Sequence, residues 1–497
     1  MIDPSTEFET VIGLEVHVQL ATESKIFSTA RARLEAGKSV ADEAVNANTT
    51  PVDAGHPGTL PALNGKAVEY AIKTGLATGC RINEKSVFSR KQYFYPDLPK
   101  GYQISQYDRP LCEHGFLDLE LGEDGERTKR VGITRIHMEE DAGKNVHLAG
   151  FSLVNLNRAG TPLVEVVSEP DMRTSEEAGA YLRKLYSIVT ALGVCDGNLQ
   201  EGNFRCDANV SIRPKGATEF GTRVEIKNVN SFRFVEKAIE YEAERQRQVL
   251  LSGDRLVQET RLYDSQKNQT FSMRTKEEAD DYRYFPDPDL PPLVIDAATI
   301  EKMRQELPEL PDQKRDRFMN EFGLNRYDAS QLTASKAMAE FFEASVTAAG
   351  AAHGKVIANL LAGETTRLLN EAGVDIGATP FQPRQFADLA RLISEKTISA
   401  TAAKQIIGII HSAGASGANV DVNEIVEREG MKQVNDLSAL GPVIDGIIAS
   451  NPKQAEEFRA GKEKLLGFFV GQAMKATKGK ANPAMLQELV LKKLKGE

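Results

Sequence analysis

Tryptophan is absent from the 497 residues, and cysteine occurs only four times, as Cys80, Cys112, Cys195 and Cys206. None of the four forms a C-x-x-C pair. That spacing excludes a cysteine zinc knuckle or a dithiol redox motif and leaves reduced thiols as the reading. No apolar run reaches the roughly 18 residues of a membrane span, and no basic-then-apolar leader opens the chain. A cytoplasmic location without membrane contact is therefore expected. The patterns G-x-x-x-x-G-K-[ST], H-E-x-x-H and G-x-S-x-G are all missing. Their absence removes an ordinary P-loop, a zincin helix and a hydrolase elbow.

What is present is ordinary for a globular protein: 41% hydrophobic and 27% charged residues, enough chain for two to four domains and a substantial core. The net charge of −10 argues against a uniformly basic nucleic-acid binder. The charge is uneven, however. Residues 452–497 carry ten Lys or Arg against five Asp or Glu, a local +5 that leaves −15 on the rest. Such an asymmetry fits a basic tail on an acidic body, and also a plain solvated helix face.

Strand-like runs at 10–20, 132–138, 161–167, 204–212 and 222–227 are broken by Gly, Pro, Asn and Asp. Helical stretches at 65–78, 175–192 and 234–251 lie between them without regular strand–helix alternation. This predicts an α+β domain with a largely antiparallel sheet. The segment Tyr284-Phe-Pro-Asp-Pro-Asp-Leu-Pro-Pro-Leu293 resists both helix and central strand. Beyond it, 300–307, 333–349 and 383–393 carry apolar residues at helical spacing, with breaks at Gly350, Gly414 and Gly417 and a last helical block at 420–494. The expected domains are 1–295, 296–410 and 411–497.

The strands place polar groups on one face. In Gly13-Leu-Glu-Val-His-Val-Gln-Leu20, residues Glu15, His17 and Gln19 share a face opposite Leu14, Val16 and Val18. Arg205, Asp207, Asn209, Ser211 and Arg213 do the same opposite Phe204, Cys206, Ala208, Val210 and Ile212, as do Arg223, Glu225 and Lys227 opposite Val224 and Ile226. Mixed rows of this kind suit a solvated strand. They also suit a phosphate site, where arginines grip phosphoryl oxygens and carboxylates hold a metal. Ile136-His-Met-Glu-Glu-Asp-Ala-Gly-Lys144 adds three consecutive acids, and Glu165 interrupts the apolar run Pro162-Leu-Val-Glu-Val-Val167. A carboxylate buried in such a run needs a partner or a metal. One His and several carboxylates on separate strands point to a hard, oxygen-rich cation site for Mg²⁺, with Mn²⁺ as a substitute.

Further stretches are Tyr93-Phe-Tyr-Pro-Asp-Leu-Pro-Lys-Gly-Tyr-Gln-Ile-Ser-Gln106, Asn157-Arg-Ala-Gly-Thr-Pro-Leu163, Ser168-Glu-Pro-Asp171, Asp196-Gly-Asn-Leu-Gln-Glu-Gly202 and Asp281-Tyr-Arg-Tyr-Phe-Pro286. With the strand motifs, and in this order, they resemble the GatB/GatE family, the B subunits of glutamine-dependent aspartyl/glutamyl-tRNA amidotransferases, along nearly the whole chain. The resemblance implies a first domain (1–295) that is catalytic and related in fold to glutamine synthetase and guanidino kinases. It implies a helical domain (296–410) and a YqeY-like tail (411–497), whose signature is matched by Gly471-Gln-Ala-Met-Lys-Ala-Thr-Lys-Gly-Lys-Ala-Asn-Pro483. The family's metal and catalytic positions fall on Glu15, His17, Glu139, Glu140, Glu165, Asp207 and Glu225. Lys100, Arg158, Arg205 and Lys227 are expected beside the phosphates of ATP, and Lys475, Lys478 and Lys480 against tRNA. The implied reaction is ATP-dependent phosphorylation of the side-chain carboxylate of Glu-tRNA(Gln) or Asp-tRNA(Asn), followed by amidation. No Ser-rich glycine loop of an amidase is present, so ammonia would come from a partner amidase, GatA, tied in by a small subunit, GatC.

Two departures stand out. Many family members carry four zinc-binding cysteines in C-x-C and C-x-x-C pairs. The matching stretches here read Ser24-Lys-Ile-Phe-Ser-Thr-Ala-Arg31 and Asn48-Thr-Thr-Pro-Val-Asp-Ala-Gly55, so no structural zinc is expected. Asn155 stands where an Asp is usual. Two rival readings of the sequence remain open: a ligase acting on a free amino acid, and a tRNA-binding scaffold without catalysis.

Overall fold

The computed structural model describes residues 6–32, 43–122, 125–199, 201–229, 231–275, 279–433, 437–477, 481 and 483–495. Contacts divide the chain into two compact units, Met1–Pro311 and Asp312–Glu497.

The first unit is built on a nine-stranded sheet. Its strands are β1 (Phe8–Gln19), β2 (Arg81–Ile82), β3 (Cys112–Leu121), β4 (Arg127–Glu140), β5 (Pro162–Ser168), β6 (Phe204–Pro214), β7 (Val224–Val229), β8 (Glu259–Asp264) and β9 (Gln269–Thr275). Their order across the sheet is β9-β8-β7-β6-β1-β5-β4-β3-β2. The pairings are antiparallel except β7 with β8. That one parallel pair refines the expected antiparallel sheet. Helix α3 (Phe232–Leu251) lies between its two strands in sequence and supplies the long crossover that parallel neighbours need.

Helices α1 (Gly65–Ala77), α2 (Ser175–Ala191) and α3 contribute to the core on one side of this sheet. Each starts at a polar cap whose side chain accepts a backbone N–H: Asn64 from Lys66, Thr174 from Glu177, Ser231 from Phe234. Leu14, Val16 and Val18 of β1 and Ala208 and Val210 of β6 are buried with Leu182 and Leu185 of α2 and Val235 and Ile239 of α3. The alternation read in the sequence is thus the division between a core face and a polar face. Ile300, Met303 and Leu307 also pack against this core, which carries the first unit past the proline-rich segment to Pro311. That segment itself forms two short strands, Phe285–Pro286 and Leu293–Val294.

The second unit is helical and holds two separate apolar clusters. One runs from Phe318 to Val426 and includes Phe342, Leu361, Phe386 and Ile406. Because Val422, Ile425 and Val426 belong to it, this core extends past 410. The other gathers Leu440, Ile444, Phe458, Phe469, Leu486 and Val490. No described helix is long and apolar enough to cross a membrane.

Candidate active site

Register across the sheet decides which polar residues meet. His17 of β1 lies opposite Arg205 of β6 on one side and Glu165 of β5 on the other; Glu165 in turn lies opposite His137 of β4. Glu139, two residues beyond His137, shares its face. The result is a compact group. His17 Nε2 is 3.5 Å from Glu139 Oε1 and 3.8 Å from Glu165 Oε2, while His137 Nε2 is 3.1 Å from Glu165 and 3.7 Å from Glu139. Ser105 Oγ donates to Glu139 Oε2 at 3.3 Å. Glu165 interrupts its apolar run because Val164 and Val166 face the core and Glu165 faces the acids and histidines.

Burial opposes ionisation of both carboxyls. The neighbouring histidines outweigh it, holding Glu139 below the usual carboxylate range and Glu165 well below it. Burial likewise opposes protonation of His137, but Glu165 and Glu139 raise its pKa. His17, Glu139 and Glu165 each offer a ligand atom within 4.8 Å of the others. Donors around a small cation at about 2.1 Å stand roughly 3–4 Å apart, so one imidazole and two carboxylates at these separations fit a hard dication.

A second cluster lies on the neighbouring strands. Glu15 is opposite Asp207, and Asn209 is opposite Glu225. Lys227 Nζ pairs with Asp207 and stands 3.4 Å from Glu225; Asn209 Nδ2 donates to Glu15 at 3.0 Å, and Thr260 Oγ1 to Glu225 at 2.8 Å. Burial works against the Lys227 charge, but the two carboxylates outweigh it and hold the pKa above the ordinary lysine range.

The other expected residues fall at the rim. Glu140 points away from Glu139, as adjacent strand residues must; its carboxylate pairs with Lys100 and accepts the Ile104 amide at 2.9 Å. Arg205 donates to Asp141 at 2.8 Å, and its buried Nε has no hydrogen-bond partner among the described residues. Arg158 donates to the carbonyls of Ala142 and Gly143 at 2.9 and 2.7 Å and pairs with Asp141 at 3.4 Å. Gly143 is needed there, since a Cβ would stand 2.7 Å from the Asn155 carbonyl. Asn155 Oδ1 accepts the Asn157 amide, a bond that needs no carboxylate. Lys475 is exposed in the last turn of the helix Leu466–Ala476; Lys478 and Lys480 lie outside the described residues.

Two groups at the site were not singled out in the sequence. His137 is one, although its spacing of two from Glu139 was the signal. The other is a set of tyrosines. Tyr284 stacks on Tyr107 at 4.3 Å, and Tyr93 and Tyr284 have raised pKa values through burial and then the nearby Glu139 carboxylate.

Where the family's zinc cysteines would lie, Asp53 accepts from Ser28 Oγ at 2.9 Å, Thr50 Oγ1 at 3.0 Å and the Thr50 amide at 2.8 Å. Fully buried Lys25 pairs with it at 3.5 Å and donates to the Asn48 carbonyl at 2.9 Å. One carboxylate with an ammonium beside it does not fit zinc.

A polar sheet face that gathers carboxylates, histidines and arginines defines an α+β domain able to meet a cation and an anion together. Residues 10–301 match the GatB/GatE catalytic domain and residues 340–494 the GatB domain. The chain is similar to the B subunit of the aspartyl/glutamyl-tRNA(Asn/Gln) amidotransferase of Syntrophotalea carbinolica, 56% identical over 99% of this chain and 100% of that one. It is likewise similar to those of Halorhodospira halophila (54%, 99% and 100%) and Geobacter sulfurreducens (56%, 98% and 100%). The chain belongs to the GatB/GatE family.

Proposed function

We propose that this chain is the B subunit of an aspartyl/glutamyl-tRNA(Asn/Gln) amidotransferase and carries the site where the aminoacyl side chain is activated and amidated. The observation that bears most of the weight is the convergence of His17, Glu139 and Glu165 on one sheet face, with the Arg205 guanidinium one strand away. Full-length relatives bearing that subunit's name support the same reading.

The substrate's side-chain carboxylate takes the γ-phosphoryl group of ATP, and ADP leaves. Ammonia then displaces phosphate from the acyl phosphate and leaves the amide. His17, Glu139 and Glu165 would hold Mg²⁺, which neutralises charge developing on the transferred phosphoryl oxygens when bound. Arg205 and Arg158 offer guanidinium donors for phosphate, Arg205 with a buried Nε already stripped of water. Lys227 holds Asp207 and Glu225 in place on the adjoining strands, and Lys100 anchors Glu140 at the rim. The sheet is of the glutamine synthetase and guanidino kinase type, and the second unit comprises a helical domain and a YqeY-like tail that meets tRNA through Lys475, Lys478 and Lys480. GatA supplies ammonia and GatC joins the two, in the cytoplasm.

The test is His17→Ala in the three-subunit complex. Transamidation of mischarged tRNA should be lost while glutamine hydrolysis by the partner persists. Undiminished transamidation would remove His17 from the site. ATP turnover that required no charged tRNA would favour a ligase acting on a free amino acid.

A further inference from the structure

His137 is 4% exposed, directly opposite Glu165 in register and two residues before Glu139. The carboxylates it approaches are those that His17 also approaches: the two rings face different oxygens of Glu139 and the same Oε2 of Glu165. Glu139 turns Oε1 toward the half-buried His17 and Oε2 toward His137 and Ser105. The far ring nitrogen of His137 is engaged as well: Arg135 Nε donates to Nδ1 at 3.3 Å. A guanidinium has donors only, so Nδ1 accepts, and the ring proton stands on Nε2. Nε2 stands 3.1 Å from Glu165 Oε2 and 3.7 Å from Glu139 Oε2.

A ring with Nδ1 occupied and Nε2 protonated has no lone pair left for a cation. We infer that His137 is a positioning residue: the chain Arg135 to His137 to Glu165 fixes the carboxylate that, with His17 and Glu139, would bind the metal. The inference rests on the metal reading of the site given above. It inverts the usual arrangement, in which a carboxylate steadies a ligating histidine; here a histidine steadies a ligating carboxylate. Two acids held this close repel one another, and a buried imidazole fixed between them by Arg135 offsets part of that repulsion and holds Glu165 beside Glu139.

The test uses the full-length chain and Mn²⁺ alone as the probe, with binding followed by electron paramagnetic resonance. His137→Ala should weaken Mn²⁺ binding about 10- to 100-fold, the range for loss of a group that orients a metal ligand. In transamidation it should raise the half-saturating Mg²⁺ concentration more than it lowers the rate at saturation. His137→Gln, whose amide N–H can replace Nε2–H, should recover most of the affinity. Parental affinity in His137→Ala would overturn the inference. So would equal weakening in the Ala and Gln variants, which would make the imidazole itself a ligand. Should His137→Ala fail to fold, Arg135→Met against His137→Gln carries the test: Arg135→Met should bind Mn²⁺ more weakly and His137→Gln should not, and the reverse order overturns the inference. His17→Ala separates the role of His137 from the metal reading beneath it. If it also leaves Mn²⁺ binding unchanged, the metal reading itself falls; if it abolishes binding while His137→Ala does not, only the role of His137 falls.

Discussion

Two acid clusters share one face of the sheet, and their charge is balanced differently. Around Asp207 and Glu225 the balancing cation is part of the chain, the Lys227 ammonium, with Asn209 and Thr260 as further donors. Around Glu139 and Glu165 the ion-pair partners among the described residues are His17 and His137, and Lys91 acts on Glu165 only at longer range. A histidine is cationic only when protonated and otherwise offers a lone pair, whereas the Lys227 ammonium is held charged by its two carboxylates. Asp53 with Lys25 repeats the internally balanced design. On the proposed function, the difference separates carboxylates paired with a lysine of the chain from carboxylates that would take an external dication.

The contrast is most exposed to experiment at Glu165. Glu165→Ala should lower transamidation by on the order of 10²–10³-fold, the scale of losing metal-based charge stabilisation. A steady-state assay at saturating ATP checks this, with partner glutaminase as the internal control. Asp53→Ala probes the internal pairing instead. It strands a fully buried ammonium, Lys25, whose pKa burial already lowers, and should cost about 3 kcal/mol in urea unfolding of the first unit, with no rescue by added zinc. At Lys227, Lys227→Met leaves Asp207 and Glu225 unbalanced. Since that side chain is a third exposed, the loss should be only about 1–2 kcal/mol, and millimolar Mg²⁺ should restore part of it. Parental behaviour with no response to Mg²⁺ would show that the two clusters are not distinguished by their internal cation.

The tail should leave both clusters alone. Replacing Lys475, Lys478 and Lys480 with alanine should flatten the salt dependence of tRNA binding by up to about three units of slope, measured by filter binding, with Mn²⁺ affinity unchanged. A truncation meant to isolate the tail belongs after residue 433 and not near 410, because Val422, Ile425 and Val426 complete the preceding core. The smallest effect is on acid stability. Glu165 has a folded-state pKa well below its reference value of 4.5. Its stabilising contribution is therefore complete above pH 4.5 and lost as pH falls through the lower folded value. Glu165→Gln should flatten the stability-versus-pH curve below pH 4.5 in metal-free buffer, as read from urea midpoints.

Much of the site was legible because strand periodicity fixes which residues share a face. Glu15 and His17, or Arg205 and Asp207, could be placed together from spacing alone. The same rule separates Glu140 from Glu139 and joins His137 to it, yet a run of three acids reads as one cluster until the pleat is applied. Helices α1, α2 and α3 follow the expected stretches closely, since apolar spacing and capping residues agree at each. The sequence did not reveal which strands are neighbours. That His17 lies beside Glu165, 148 positions away in sequence, follows from β1 pairing with β5, a long-range choice that no local pattern encodes. The parallel pairing of β7 with β8 was hidden for the same reason. The extension of the first unit to Pro311 depends on Ile300, Met303 and Leu307 finding the first core, and a proline-rich break says nothing about where the chain packs after it.

The most direct measurement is a Mn²⁺ titration of the full-length protein in three forms: parent, His17→Ala and Asp207→Asn. Tight Mn²⁺ binding should be present in the parent, be lost in His17→Ala and survive in Asp207→Asn, because among the described residues the carboxylates beside His17 pair with imidazoles, whereas Asp207 pairs with the Lys227 ammonium. Tight binding that survived His17→Ala and disappeared in Asp207→Asn would contradict the account.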